Sequence, residues 1–223
     1  MIRDQRDSTT PSILIMTSVA AEKEAIERGL SGSSQFQVAL TGVGPAKAAA
    51  RTATELAART YQYVINAGVA GGFNGKADIT SIVVASRIIA ADLGSESVDG
   101  FLPVDQLGLG SSEIKPDRSK STELVKRLED MNATVTLAPV LTLATVTGTQ
   151  KTTNELTSRF PDAAAEAMEG HGVATAAELA QIPVLEVRTI SNQVGPRDRD
   201  AWQIKEALQA LERVGRALTE VWS

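Results

Sequence analysis

Short apolar runs rich in β-branched residues alternate with segments of helical period along nearly the whole chain, and that alternation leaves few folds open. Strand-like runs occupy 13–17, 36–40, 63–66, 81–90, 135–143 and 184–190, with helix-like segments at 20–30, 46–59, 121–132, 149–159 and 172–181. Strands separated by helices pair in parallel, and a parallel sheet is covered on both faces, which is why Ile13-Leu14-Ile15-Met16 is apolar at successive positions. The expected fold class is α/β, a central mixed, mostly parallel twisted sheet flanked by helices in a single domain over 12–223, preceded by a polar extension at 1–11. A chain of 223 residues is long enough to bury one such core in full. The last segment, 199–222, sets Trp202, Leu208, Leu211, Val214, Leu218 and Val221 at helical spacings apart from one larger step, so a long amphipathic helix closes the sheet. The alanine-rich helix at 46–58 is expected to approach the sheet closely. The Gly-, Ser- and Asp-containing stretch 92–120 is expected to be irregular, of a length that usually covers a site or joins a neighbouring subunit.

Charge and composition remove several classes of function. A net charge of −5 with no long basic run argues against nucleic acid or an anionic membrane as the main partner and favours a small molecule. With no cysteine, disulfide and thiolate chemistry are excluded, and a single histidine leaves too few soft ligands for a zinc site, so metal catalysis is not expected. The apolar run Ile13 to Met16 is far too short for a signal core or a membrane span, which points to a cytoplasmic protein.

Five places along the chain could carry chemistry, and each also has an ordinary explanation. Glu22 and Glu24 stand at the start of a helix, where the macrodipole favours acids in any case. Gly42-Val43-Gly44 follows a strand and opens a helix, but the third glycine of a dinucleotide fingerprint would fall at Lys47, so that fingerprint fails. The cluster from Asn66 to Gly72 would let backbone N–H groups approach a ligand, or simply make a tight turn. In Ala167-Met168-Glu169-Gly170 a carboxylate suited to a ribose diol stands beside a methionine that could pack on sugar or base, or in the core. His171, with no serine or cysteine to serve, is given a structural part only.

Asn192, at the end of the run Arg188-Thr189-Ile190-Ser191-Asn192, is the most telling of the five, although an asparagine after a strand is often only a turn residue. A carboxamide donates to O6 and accepts from N7–H of a departing 6-oxopurine. A protonated carboxyl instead suits a 6-aminopurine, accepting from the exocyclic amine and donating to N7.

Taken in this order and spacing, these patches resemble the nucleoside phosphorylase/nucleosidase family over nearly the whole chain from Ile13 onward. Ala167-Met168-Glu169-Gly170 and the run from Ile190 to Asp198, followed by Trp202, are most similar to the branch that hydrolyses futalosine in the alternative menaquinone pathway. The methylthioadenosine/adenosylhomocysteine nucleosidases carry an aspartate where this chain has Asn192, and futalosine contains the 6-oxopurine hypoxanthine. The resemblance implies that Glu22 activates water, Glu169 binds the ribose hydroxyls, Met168 packs on the nucleoside and Asn192 recognises the base. It further places Gly68 and Val69 near the sugar and water, and Val146 and Thr147 along the base pocket, where main-chain groups face the purine. It implies a homo-oligomer, a dimer or larger, and no cofactor.

Phosphorylases of the family carry an arginine just before the glycine loop, and this chain has Asn66 there, so hydrolysis is expected over phosphorolysis. Other purine nucleosidases or phosphorylases, and a nucleoside-binding protein without catalysis, stay open. Release of free base separates enzyme from binder. Arg197 and Arg199, which follow Asn192, are candidates for the aryl carboxylate of futalosine, although the run Pro196-Arg197-Asp198-Arg199-Asp200 could equally be a self-paired, solvated loop.

Overall fold

A computed structural model describes residues 12–223; the polar extension at 1–11 lies outside the described residues. The chain runs β1 (Ile13–Thr17), α1 (Ala20–Leu30), β2 (Phe36–Leu40), α2 (Pro45–Ala58), β3 (Tyr63–Gly72), β4 (Ile82–Ala90), β5 (Gly94–Ser97), β6 (Gly100–Pro103) and β7 (Glu113–Ile114). It continues through α3 (Arg118–Asp130), β8 (Val135–Thr142), α4 (Gln150–Arg159), β9 (Ala165–Ala167), α5 (Gly170–Leu179), β10 (Val184–Gln193) and α6 (Ile204–Val221).

The main sheet is mixed and mostly parallel, as the alternation predicts. β1 lies in parallel between β2 and β3, while β10 pairs in parallel with β3 and antiparallel with β4. β4 then pairs with β8, β8 with β9, and β9 returns to the far end of β3, so these strands close a ring with β1 and β2 as its extension. Period-two alternation sends side chains to two cores. Ile13, Ile15, Ile65, Leu185 and Val187 meet the side covered by α1, α3 and α6, whereas Leu14, Met16, Val64, Val184 and Ile190 meet the side covered by α5.

Several details differ from the expectations. Much of 92–120 is ordered, as the hairpin of β5 and β6 and as β7 against β4. The alanine-rich α2 buries only Ala48 and Thr52 and packs chiefly on α5, because α5 already occupies that side of the sheet. α6 starts at Ile204 and not near residue 199: the preceding backbone is drawn off, with Asp200 N–H bonded to its neighbour Asp198 and Gln203 N–H to the Ser191 carbonyl. Trp202 is therefore no part of the helical stripe.

Candidate active site

A cavity of about 310 Å³ opens at the carboxyl ends of β1, β3, β9 and β10, where crossover connections in an α/β sheet leave a crevice. Glu22, Val69, Val146, Thr147, Met168, Glu169 and Asn192 all line it. Gly68 does not; it lies behind the wall, where a Cβ would come within 2.7 Å of Glu22 Oε1 and 2.9 Å of Arg188 Nη1. Only glycine lets those two groups close over the strand.

Glu22 is 2% exposed, and its two oxygens have separate tasks. Oε2 accepts from Ser18 N–H (2.8 Å), Ser18 Oγ (2.6 Å) and Val19 N–H (3.2 Å), tying down the first turn of α1. Oε1 accepts from Val69 N–H of the glycine-rich strand at 2.8 Å. The helix-start role and the cavity-facing role thus coincide, the first fixing the orientation that the second needs. Glu24, two residues on, is exposed.

Glu169 opens α5 and is 5% exposed, yet its carboxylate leaves the helix end: Oε1 accepts from Gly44 N–H at 3.1 Å, and Oε2 lies 3.6 Å from Arg188 Nη1. Gly42-Val43-Gly44 therefore enters the site after all, Gly44 through this bond and Val43 as part of the cavity wall. His171 lines no part of the cavity; its N–H donates to Thr142 Oγ1, and burial lowers its pKa, favouring the neutral ring.

Sequence reasoning passed over the charged cluster beneath Glu22 and Glu169. Arg188, 1% exposed, donates from Nε to Glu186 Oε1 at 2.8 Å, and the fully buried Glu186 is held up in pKa by burial while Arg188 pulls it down. Burial opposes the charge of Arg188, but Glu186, Glu169 and Glu22 together raise its pKa, keeping the guanidinium ionised. Three carboxylates thus surround one buried cation. Two charges spaced i, i+2 in an otherwise apolar strand share one face, and that was the available signal.

Asn192 is aimed by a bulge. β10 pairs residue for residue with β3 up to Ile190↔Ala70, then skips Ser191 so that Asn192 pairs with Gly71. The inserted residue lets both Ser191 and Asn192 face the cavity. Ser191 Oγ donates to Asn192 Oδ1 at 2.8 Å, and Asn192 Nδ2 donates to the Gln193 carbonyl at 3.0 Å. Trp202 and Ile204 complete the wall, with Arg197 and Arg199 near the Trp202 ring at 5.5 and 6.0 Å. Among the described residues no group of His, Cys, Asp and Glu is arranged to hold a metal ion.

The fold has its crevice at the strand ends, with two buried acids and an amide lining it, and the model of the phosphorylase superfamily matches residues 16–222. The chain belongs to that superfamily. Within it, futalosine hydrolase of Streptomyces coelicolor is 44% identical over 225 residues, covering 92% of this chain and 94% of that one. Futalosine hydrolase of Thermus thermophilus is 31% identical over 86% of this chain and 84% of its own. The solved futalosine hydrolase of Helicobacter pylori superposes with a TM-score of 0.83 at 17% identity, covering 96% of this chain and 99% of that one, a likeness of fold.

Proposed function

We propose that the protein hydrolyses the N-glycosidic bond of futalosine, releasing hypoxanthine and leaving dehypoxanthinyl futalosine, in the alternative menaquinone pathway and without a cofactor. Asn192 carries the choice of substrate, since it brings a carboxamide to a cavity that Glu22 and Glu169 also line. The base sits against Asn192, with Nδ2 donating to O6 and Oδ1 accepting from N7–H. Ser191 Oγ already donates to Oδ1, which leaves that oxygen a second lone pair for the base. Glu169 accepts from the ribose hydroxyls while Arg188 and Gly44 hold its carboxylate in place. Met168 packs on the nucleoside, Val69 forms the floor near the sugar with Gly68 behind it making room for Glu22 and Arg188, and Val146 and Thr147 border the purine.

Glu22 Oε1, held by Val69 N–H, orients the attacking water. As the C1′–N9 bond breaks and its electron pair leaves on N9, the water oxygen bonds to C1′ and one water proton passes to Glu22; the departing purine takes up a proton at N7 from solvent while Glu22 returns its own to solvent, so that hypoxanthine leaves neutral. Three carboxylates around one guanidinium make the sugar end anionic, which stabilises the cationic, oxocarbenium character at C1′. The same field repels a phosphate dianion, and Asn66, buried in β3, supplies no guanidinium to hold one. Purified protein is therefore expected to release hypoxanthine from futalosine at a rate independent of phosphate. Strict phosphate dependence with a sugar 1-phosphate product would show a phosphorylase instead.

A second expected result concerns the base. Asn192→Asp should lose about ten- to a hundredfold in kcat/KM on futalosine, because a buried hydrogen bond to O6 or N7–H is left unmade. The loss should be smaller on methylthioadenosine, whose aminopurine suits a protonated carboxyl. Measuring both substrates with both proteins gives a ratio of ratios that cancels general damage, and an unchanged ratio would mean that Asn192 does not read the base. We assign the protein to the cytoplasm as a homo-oligomer, a dimer or larger. Among the described residues no helix is long and apolar enough to cross a membrane, and Leu93, Val98 and Leu109 stand exposed on and around the β5–β6 hairpin, where a second copy would cover them.

A further inference from the structure

We infer that Glu166 is a base-specificity residue, its carboxylate accepting a hydrogen bond from N1–H of the 6-oxopurine beside the O6 held by Asn192. The inference rests on the 6-oxopurine reading above and adds a second contact that discriminates the base.

Glu166 is the middle residue of β9; Ala165 and Ala167 turn into the core beside α5, while Glu166 lines the cavity. Its position relative to Asn192 follows from register. Gly71 of β3 pairs with Glu166 on one side and with Asn192 on the other, so the acid and the amide occupy neighbouring rungs with only a glycine between them. Adjacent strands lie about 4.8 Å apart, so the two Cα atoms are roughly 10 Å apart, a gap that two side chains and the edge of a purine fill. Gly71 must lack a side chain for this: a Cβ there would fall 2.9 Å from Val194 Cγ2 and 3.3 Å from Asn192 Nδ2.

The hydrogen bonds at this end set its polarity. Thr147 N–H donates to Glu166 Oε1 at 2.8 Å, and Thr147 Oγ1 bonds Oε2. The backbone donor that bare N1 of a 6-aminopurine would need is thus already engaged, and the edge offers carboxylate lone pairs instead. Each carboxylate oxygen accepts in two directions, so each keeps one free for an N1–H donor, which a 6-oxopurine has and a 6-aminopurine lacks. Among the described residues Glu166 forms no ion pair, unlike Glu169 and Glu186, although it is only 6% exposed. Burial raises the pKa of its carboxyl by more than the Thr147 bonds lower it, and a third donor, from the base, would shift the balance toward the ionised form. Glu166 and Thr147 could otherwise serve only to pin the 143–149 connection, and that role would not distinguish one purine from another.

The test compares Glu166→Gln with wild type on futalosine and methylthioadenosine, and titrates both proteins with hypoxanthine and adenine by calorimetry. The variant should lose roughly ten- to a hundredfold in kcat/KM on futalosine and in hypoxanthine affinity, since it loses a charge-assisted hydrogen bond, while adenine binding holds or improves. Equal losses with both purines would reduce Glu166 to a loop pin and overturn the inference. Wild-type protein alone should bind hypoxanthine at least about tenfold more tightly than 1-methylhypoxanthine, which has no N1–H; equal affinity would overturn the inference without any variant. Because the titrations need no turnover, they separate it from the hydrolase assignment, which fails only if wild type releases no hypoxanthine from futalosine.

Discussion

Glu22→Gln is expected to lower kcat on futalosine by about 10²–10⁴, the usual range for removal of a general base, while KM changes little. The structure shows why the change is so selective. Oε2 accepts three hydrogen bonds from Ser18 and Val19, so the glutamine carbonyl takes that position and preserves the start of α1. The amide nitrogen is then turned to the cavity, where it faces Val69 N–H, a donor against a donor, and has no lone pair for a water proton. Steady-state kinetics with a denaturation midpoint as control would check both halves. Near-normal turnover would remove Glu22 from the chemistry and leave it as a helix-start acid.

Arg188→Met is expected to destabilise the fold by about 3–5 kcal/mol, because it strands Glu186 and Glu169 as buried carboxylates without a cation. The deficit should shrink as pH falls. A buried carboxyl whose folded pKa lies above its unfolded one costs stability as pH rises through the unfolded value, and burial raises Glu186 even with Arg188 beside it. Adding Glu186→Leu should recover much of the stability, since an apolar pair of similar volume replaces the ion pair. Activity should stay low in the double variant, because Glu169 still lacks the guanidinium 3.6 Å from its Oε2. Urea midpoints across pH for the single and double variants test this; an Arg188→Met protein as stable as wild type at neutral pH would refute the account of the buried cluster.

Neither the pairing of Glu22 with Val69 nor that of Glu169 with Gly44 is visible as a motif, because each joins residues far apart along the chain. Family resemblance supplied the roles of Glu22, Met168, Glu169 and Asn192, and the fold brings these residues to one cavity. The glycines at 42–44 were dismissed on a valid test of the wrong ligand: they make no dinucleotide loop, yet Gly44 N–H holds the carboxylate assigned to ribose. Trp202 was read into the helical stripe across its one larger step, the six residues to Leu208, whereas the Gln203 N–H bonds the Ser191 carbonyl and the helix starts only at Ile204.

By itself the sequence determined what depends on neighbours along the chain. β1, α1 and β2 fall at the residues that apolar runs and helical period mark out, and the covered sheet follows from runs apolar at successive positions. Only the tertiary structure decided what depends on pairing across the sheet. β9 is three residues long, too short for any period to show, and forms because β3 and β8 supply its partners. The same pairings help close the ring, that of β10 with β3 sets the bulge at Ser191 that turns Asn192 to the cavity, and the two together put Glu166 across Gly71 from Asn192. Register is a relation between distant strands, settled by which faces bury together, and a one-residue shift would send each of these side chains to the other face.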